Sequence, residues 1–396
     1  MPTALSAAAP TSVSARSLAP DLARGFMLLA IALAHAPVFV SDPAHGPAAL
    51  NTAAQFVKSL FTDNQARAMF VFLFGYGLGQ LAQRQHARGS DWISLRKLLR
   101  RRSLWLTVIG FAHAAFMPMD IIGVYGLTLL ALTPLVRARD STLWWTSALT
   151  LLPATLLISW QGMVAREAAA AGTPFMLADT MADTFGAHLV AGVGSWPIET
   201  PIATVVVVPG MLLGIWAARR RILDEPERHL PLLRRVTVIF LGVSVLGRLP
   251  AALLATGAWT TTSHPLAWTV TTAHTLTGYA GGIGMAAAVG LVAARIGRDH
   301  GRLTVALVAL GQRSMTFYLF QSVVWVALFY PFTLGLSDDM GSAATFAIAV
   351  GVWIVSILLA EWMRRAGHRG PAEVLLRRLS YREGRSNSRN RAGVTS

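Results

Sequence analysis

Long apolar stretches separated by short polar segments run through most of this chain. A helix that crosses the hydrocarbon core of a bilayer needs about 20 mainly apolar residues. This pattern predicts an all-α, polytopic transmembrane helical bundle. The ten predicted spans are residues 22–40, 65–83, 103–118, 121–136, 142–160, 201–218, 233–256, 276–294, 312–332 and 343–363.

Two parts of this pattern predict departures from straight spans. The third and fourth spans are short and separated only by residues 117–120, which predicts a tight helical hairpin. The stretch 302–332 is too long for one span and is interrupted at residues 311–314. It therefore predicts a short helix at the membrane surface over residues 303–310, followed by a true span.

The two ends of the chain differ from its middle. Residues 1–20 are polar and rich in small side chains, which predicts a disordered N-terminal segment. Residues 21–363 form the predicted transmembrane helical domain. Residues 364–396 are basic and predict a cytoplasmic tail that lies on anionic headgroups. The first apolar stretch is too long for a signal peptide, so we expect it to remain as the first span.

The composition supports a membrane protein. Of the 396 residues, 54% are hydrophobic and 13% are charged, whereas soluble domains carry about 25% charged residues. The net charge of +15 comes from arginines in short blocks between apolar stretches. This spacing indicates membrane topology rather than a nucleic-acid partner. There is no cysteine, which excludes disulfides and thiolate nucleophiles.

The basic residues also predict the orientation of the chain. With an intracellular N-terminus and ten crossings, the inner segments hold 28 of the 34 Lys and Arg residues. The outer segments hold only Lys58 and Arg166. Because cytoplasmic loops carry an excess of Lys and Arg, both termini are predicted to be cytoplasmic.

The first span contains two residues that lipid disfavours, Arg24 and His35. A guanidinium inside a span costs several kcal/mol unless it faces protein or water. Eleven residues separate the pair by roughly 16 Å and return to nearly the same helix face. We therefore expect both to face a shared wet cleft, as in a membrane enzyme. In the alternative, Arg24 reaches the inner headgroups beside Asp21 as N-cap, and His35 lies at the outer interface.

A second candidate pair is His113 and Asp120, expected at the outer ends of the third and fourth spans. A carboxylate there could orient the imidazole for proton transfer. The alternative is a hairpin turn in which Asp120 caps the following helix.

Polar residues inside two later spans predict either hydrogen bonds between helices or contacts with a substrate. Arg248 is a further candidate for an anion site. The polar block of the ninth span consists of Arg313, Thr316, Tyr318, Gln321 and Ser322.

Glycines and the remaining histidines carry less information. No strand precedes Gly75-Tyr76-Gly77-Leu78-Gly79, so Gly75 and Gly79 predict close helix contact rather than a nucleotide loop. His188, His264 and His274 lie in different outer segments, and no HExxH pattern occurs. No metal site is predicted.

Four groups of residues together resemble a known family. In chain order they are Asp21–Gly25, Phe70–Gly77, Gly110–His113 with Asp120–Ile122 and Tyr125–Gly126, and Gly311–Ser322. Over roughly residues 20–380 the chain resembles the YeiB-like family of bacterial inner-membrane proteins (domain of unknown function 418). That family is similar in its first spans to a transmembrane acyltransferase superfamily. The resemblance implies acyl transfer in the bacterial cytoplasmic membrane.

The resemblance also bears on the catalytic base. In the O-acyltransferase branch of the superfamily, an arginine and a histidine share the first span with the spacing of Arg24 and His35. Most YeiB-like members have asparagine at the position of His35. The lysosomal heparan glucosaminide acetyltransferase also has asparagine there, and its catalytic histidine follows at about the place of His45. The resemblance therefore leaves the base open between His35 and His45.

These observations predict an acyltransferase that uses acyl-CoA as donor. It would move an acyl (acetyl) group from the cytoplasmic side to a hydroxyl or amine of a small-molecule or glycan acceptor outside. His35 is the first candidate for the base, with His45 and His113 as rivals. Arg24 is expected to bind the coenzyme phosphates by paired hydrogen bonds, with Arg313 and Arg248 as further candidates. The alternatives are a transporter of a small polar or anionic metabolite and a non-catalytic membrane protein.

Overall fold

A computed structural model describes residues 18–173, 181–297 and 300–381, and this part of the chain is helical, with no strand. Most of the predicted N-terminal segment and the end of the basic tail lie outside the described residues. The helices are α1 Leu18–His35, α2 Ala48–Val57, α3 Gln65–Ala87, α4 Trp92–Phe116, α5 Ile122–Leu132, α6 Asp140–Ala171, α7 Phe185–Arg219, α8 Leu230–Ala255, α9 His264–Ile296, α10 Arg302–Gly311, α11 Ser314–Phe329, α12 Ser342–Arg365 and α13 Pro371–Ser380.

The length and apolar character of the described helices are those of a membrane protein. Six of them are long and apolar enough to cross a bilayer, namely α1 with its following turn, α6, α7, α8, α9 and α12. The pair α10–α11 is a seventh if it counts as one broken span. Each of the ten predicted spans lies largely in a helix, although several of them run one to three residues past a helix end. Helices α3, α4 and α5 are too polar or too short to meet this test. The number ten and the orientation of the termini stay predictions.

The predicted interruption at residues 311–314 is present. The axes of α10 and α11 differ by 81°. Arg313 lies at the bend, where Nη1 donates to the carbonyl of Ala309 (2.9 Å) and Nη2 to that of His368 (2.5 Å). The guanidinium thus supplies donors to carbonyl oxygens near a helix end, where intrahelical partners are missing.

Several helices begin earlier or run longer than the predicted spans. Helix α4 begins at Trp92 rather than at residue 103, because Leu95, Leu99 and Ser103 continue its buried stripe through the basic segment. Helices α6, α7 and α9 likewise extend into the predicted outer segments 161–200 and 257–275.

Helix α1 begins at Leu18, three residues before Asp21. The predicted N-cap role of Asp21 is therefore wrong. Asp21 lies in the first turn and accepts a hydrogen bond from Arg24 Nη1 at 2.8 Å.

Glycines allow the central helices to approach closely. A Cβ on Gly75 would lie 2.1 Å from the carbonyl oxygen of Met211, and one on Gly79 would lie 2.5 Å from Ala218 Cβ. These contacts join α3 to α7 and agree with the predicted packing role. A Cβ on Gly311 would lie 1.8 Å from the carbonyl oxygen of Asp21, so α10 ends directly on the backbone of α1.

The basic segments meet at one end of the bundle, which we call the basic end (residues 84–102, 137–140, 219–235 and 364–381). Arg219 donates to Asp140 (2.9 Å), Tyr76 to Asp224 (2.8 Å) and Gln85 to Tyr381 (3.3 Å). Helix α13, which belongs to the predicted tail, packs on α4 and α11 at this end.

Candidate functional site

The α4–α5 hairpin fixes one carboxylate in place. A Cβ on Gly110 would lie 2.0 Å from the backbone nitrogen of Gly123, so only glycine permits this approach of the two helices. In the turn between them, Asp120 Oδ1 accepts from the amide of Ile122 (2.9 Å) and Oδ2 from that of Gly123 (2.8 Å). The carboxylate therefore holds the first amides of α5, as one of the two predicted roles for Asp120 requires.

The same carboxylate orients a histidine, which is the other predicted role. His113 Nδ1 lies 3.0 Å from Asp120 Oδ1, and His113 Nε2 lies 2.9 Å from Ser322 Oγ. Because an ionised carboxylate only accepts, Nδ1 carries the proton, and in the neutral imidazole Nε2 accepts from the serine hydroxyl. The Ser322 hydroxyl has a second possible acceptor, the carbonyl of Tyr318 at 3.2 Å. We call Asp120, His113 and Ser322 the His113 relay.

The His113 relay is enclosed by protein. The side chains of His113 and Asp120 are 4% and 1% exposed, and Ser322 is 3% exposed. A carboxylate, an imidazole and a hydroxyl in this order form an arrangement that can remove a proton from a hydroxyl group.

Tyr318 connects the relay to His35. Its ring centroid lies 5.4 Å from that of His113 and 6.5 Å from that of His35, and its hydroxyl donates to the carbonyl of Met119 at 2.9 Å. In the described part of the chain, the His35 side chain has no hydrogen-bond partner. His35 therefore lies beside the relay without being oriented by a carboxylate.

Arg24 has different surroundings from His35. Besides its ion pair with Asp21, its Nη2 lies 2.9 Å from the position that a Cβ on Gly77 would take. Arg102 and Glu373 are further charged groups of the same region. Arg24 thus reaches α3 at the basic end, whereas His35 contacts Tyr318 on α11.

The two other candidate arginines are bound to backbone carbonyls. Arg313 is held as described above, and Arg248 is fully buried. Arg248 Nε donates to the carbonyl of Leu60 at 2.9 Å, and Nη2 donates to that of Ser59. These contacts connect α8 to the π-helical segment 58–62, and the bend between α10 and α11 to the segment between α12 and α13.

Three further candidates do not join the relay. Thr316 Oγ1 donates to Glu373 at 2.5 Å, and Gln321 Nε2 donates to the carbonyl of Leu28 at 3.2 Å. His45 is exposed, and its carbonyl accepts from Asn51 at 2.8 Å.

The remaining histidines are scattered. His188 and His274 each lie within hydrogen-bonding distance of one backbone carbonyl, and His264 pairs with Glu167. Within the described ranges, no three His, Asp or Glu side chains converge as metal ligands would.

One residue near the relay was not selected from the sequence. Arg67 lies on α3, within the predicted span 65–83, and interacts electrostatically with His35, Tyr125 and Tyr279. Its charge inside an apolar stretch was the signal, the same signal that singled out Arg24 and Arg248. The pairing of Ser322 with His113 was likewise not predicted.

Comparison with known proteins supports the predicted resemblance. A family model described as "Protein of unknown function (DUF418)" matches residues 217–383. The "Uncharacterized protein YxaH" of Bacillus subtilis (strain 168) is 25% identical over 354 residues, which cover 83% of this chain and 82% of that protein. The similarity to DUF418 is thus confirmed, and the more distant similarity to acyltransferases stays a prediction.

Proposed function

We propose that this helical membrane protein, whose residues 217–383 match the DUF418 family, is an acyltransferase of the bacterial cytoplasmic membrane. It transfers an acyl group, acetyl in the simplest case, from acyl-CoA to a hydroxyl or amine of a small-molecule or glycan acceptor. The supporting observation is the buried hydrogen-bond chain from Asp120 through His113 to Ser322.

His113 serves as the general base in this proposal. The acceptor hydroxyl or amine takes the place of the Ser322 hydroxyl at His113 Nε2, and the serine then donates to the carbonyl of Tyr318. The acceptor oxygen or nitrogen attacks the thioester carbonyl, and its proton passes to Nε2. The carbon–sulfur bond then breaks, and the leaving coenzyme thiolate takes up the proton from the imidazolium. Asp120 keeps Nδ1 protonated and stabilises the imidazolium.

The geometry favours His113 over the other two histidines as base. His113 has both a carboxylate and a hydroxyl partner. His35 has neither within the described residues, and His45 is exposed. His35 retains a role next to the relay, because its ring contacts Tyr318.

Arg24 is the proposed donor-binding group. It lies at the basic end, where an acyl-CoA from the cytoplasm would arrive in the predicted orientation, and a guanidinium binds phosphate oxygens through paired hydrogen bonds. Arg248 and Arg313 suit this role less well, because binding phosphate would displace their carbonyl partners.

A transporter is the second candidate function. The 81° bend between α10 and α11 supports it, because broken helices line substrate sites in many transporters. In that case the arginines would bind the metabolite.

The test uses the full chain in lipid nanodiscs with acetyl-CoA and an extract of small-molecule and glycan acceptors. We expect acetyl-CoA to bind and its thioester to be cleaved when acceptors are present. His113→Gln should lower cleavage by about 10²–10⁴-fold, the range for general-base catalysis, and leave coenzyme binding intact. The matched control is His264→Gln, an exposed histidine paired with Glu167, which should retain activity.

Two results would contradict the proposal. One is cleavage that persists at the wild-type rate in His113→Gln. The other is an absence of acetyl-CoA binding. Movement of a metabolite across proteoliposome membranes without thioester cleavage would then favour the transporter.

A further inference from the structure

Arg67 is a cation with no carboxylate partner among the described residues. Its Nη2 donates to the side-chain oxygen of Asn64. The nearby acid Asp63 pairs instead with Lys58 at 3.1 Å. A guanidinium in a membrane-embedded bundle is costly unless an opposite charge or polar groups compensate it. Asp63 makes no hydrogen bond to Arg67 in the described part of the chain, so the guanidinium can still donate to a ligand.

Polar groups on other helices lie near this charge. Tyr125 on α5, Tyr279 on α9 and His35 on α1 are close enough to interact electrostatically with Arg67, as is Asp63. Tyr125 is 3% exposed, and its hydroxyl has no hydrogen-bond partner within the described ranges. A buried hydroxyl without a partner is unfavourable. A bound acceptor atom would satisfy it.

This region is contiguous with the His113 relay. Phe70 follows Arg67 by one turn of α3, and its ring centroid lies 5.2 Å from that of Tyr125 and 6.2 Å from that of Tyr318. Tyr318 in turn contacts His113. A ligand atom between Arg67 and Tyr125 would therefore lie on the same interior surface as the proposed base.

We propose that Arg67 and Tyr125 form an anion-binding subsite for the acceptor, which carries a carboxylate or a phosphate group. The guanidinium and the tyrosine hydroxyl both donate hydrogen bonds to the anion. The subsite deepens the proposed function, since it would hold the acceptor beside His113. The acceptor is therefore an anionic molecule in this proposal.

The test measures anion binding without acyl transfer. Wild-type protein in nanodiscs of neutral lipid is titrated with inorganic phosphate and, separately, with acetate. Thermal unfolding is recorded, because a ligand that binds the native state raises the midpoint. Arg67→Gln is compared with Arg166→Gln, an exposed arginine that donates to the carbonyl of Thr261.

We expect one of the two anions to raise the midpoint in wild type and in Arg166→Gln. Arg67→Gln should need at least a tenfold higher anion concentration than wild type for the same rise in the midpoint. A response to phosphate alone indicates a phosphorylated acceptor, and a response to acetate alone indicates a carboxylate. No response in wild type, or an equal response in Arg67→Gln, would overturn the subsite.

Two further variants keep the result interpretable. If Arg67→Gln fails to fold, Tyr125→Phe decides, since it removes only the hydroxyl. We expect a several-fold weaker response, and an unchanged one overturns the subsite. His113→Gln should keep the anion response. Loss of acyl transfer with intact anion binding would therefore count against the proposed function and not against the subsite.

Discussion

The Nε2 atom of His113 lies 2.9 Å from the hydroxyl oxygen of Ser322, although 209 positions separate the two residues. His113 is on α4 and Ser322 is on α11. The hydrogen bond therefore depends on packing between distant parts of the chain, and both side chains are withdrawn from solvent. The properties of the proposed base thus depend on this helix contact as much as on the neighbouring Asp120.

Replacing Asp120 by asparagine should lower thioester cleavage by about 10²-fold or more. The neutral amide cannot stabilise the imidazolium and can favour the tautomer in which Nε2 carries the proton. Coenzyme binding should not change, because Arg24 lies at the basic end. Single-turnover cleavage and equilibrium binding measure the two effects.

The control for this variant is its thermal stability. Asparagine also accepts hydrogen bonds from the first amides of a helix, so α5 should keep its start and stability should fall by less than about 1 kcal/mol. Wild-type cleavage in a folded Asp120→Asn protein would contradict the role of this carboxylate.

Ser322→Ala should reduce cleavage by about tenfold, less than His113→Gln does. The expected reason is that the serine positions the imidazole, while the acceptor supplies the attacking group. The measurement is a comparison of cleavage rates in the two variants. A loss as large as that of His113→Gln, together with an acyl group on Ser322 in intact-mass spectra, would show instead that the serine carries the acyl group.

Gly77→Ala should weaken acetyl-CoA binding several-fold. The added methyl would lie 2.9 Å from Arg24 Nη2 and push the guanidinium away from its place. Stability should change little, because the contact is with the far end of a flexible side chain. The control is Gly351→Ala on α12, where an added Cβ meets no atom within 4 Å. Equal affinities in both variants would argue against Arg24 as the donor-binding group.

Reporter fusions test the predicted orientation. Fusions after residues 90 and 225 should report the cytoplasm, because these sites follow α3 and α7 at the basic end. Fusions after residues 172 and 258, beyond the ends of α6 and α8, should report the outside. A cytoplasmic signal from either of the last two sites would invalidate the predicted topology.

The helices and their glycine contacts were predictable because their signals are local. A long apolar stretch indicates a helix, and Gly75 and Gly79 occupy one face at a spacing of four residues. The helix limits were less predictable. The basic residues at the start of α4 and the prolines Pro197 and Pro201 within α7 resemble loop signals, yet tertiary packing keeps both segments helical.

Most residues of the candidate site were predictable from the sequence, but the contacts between distant ones were not. His113 and Asp120 are seven positions apart across one turn, so their contact could be expected. No local pattern links His113 to Ser322, because α11 reaches α4 only in the folded bundle. Arg67 lies at the start of its span, where a basic residue is easily attributed to the membrane interface.

Glu373 connects the C-terminal region to the start of α11. Its carboxylate accepts from the amides of Met315 (2.8 Å) and Thr316 (3.2 Å) at the start of α11. A protein shortened at residue 370 would lack Glu373. The first amides of α11, the helix that carries Ser322, would then lose this hydrogen-bond acceptor. Cleavage by a protease before Glu373 is thus expected to abolish the proposed activity while sparing every residue of the His113 relay.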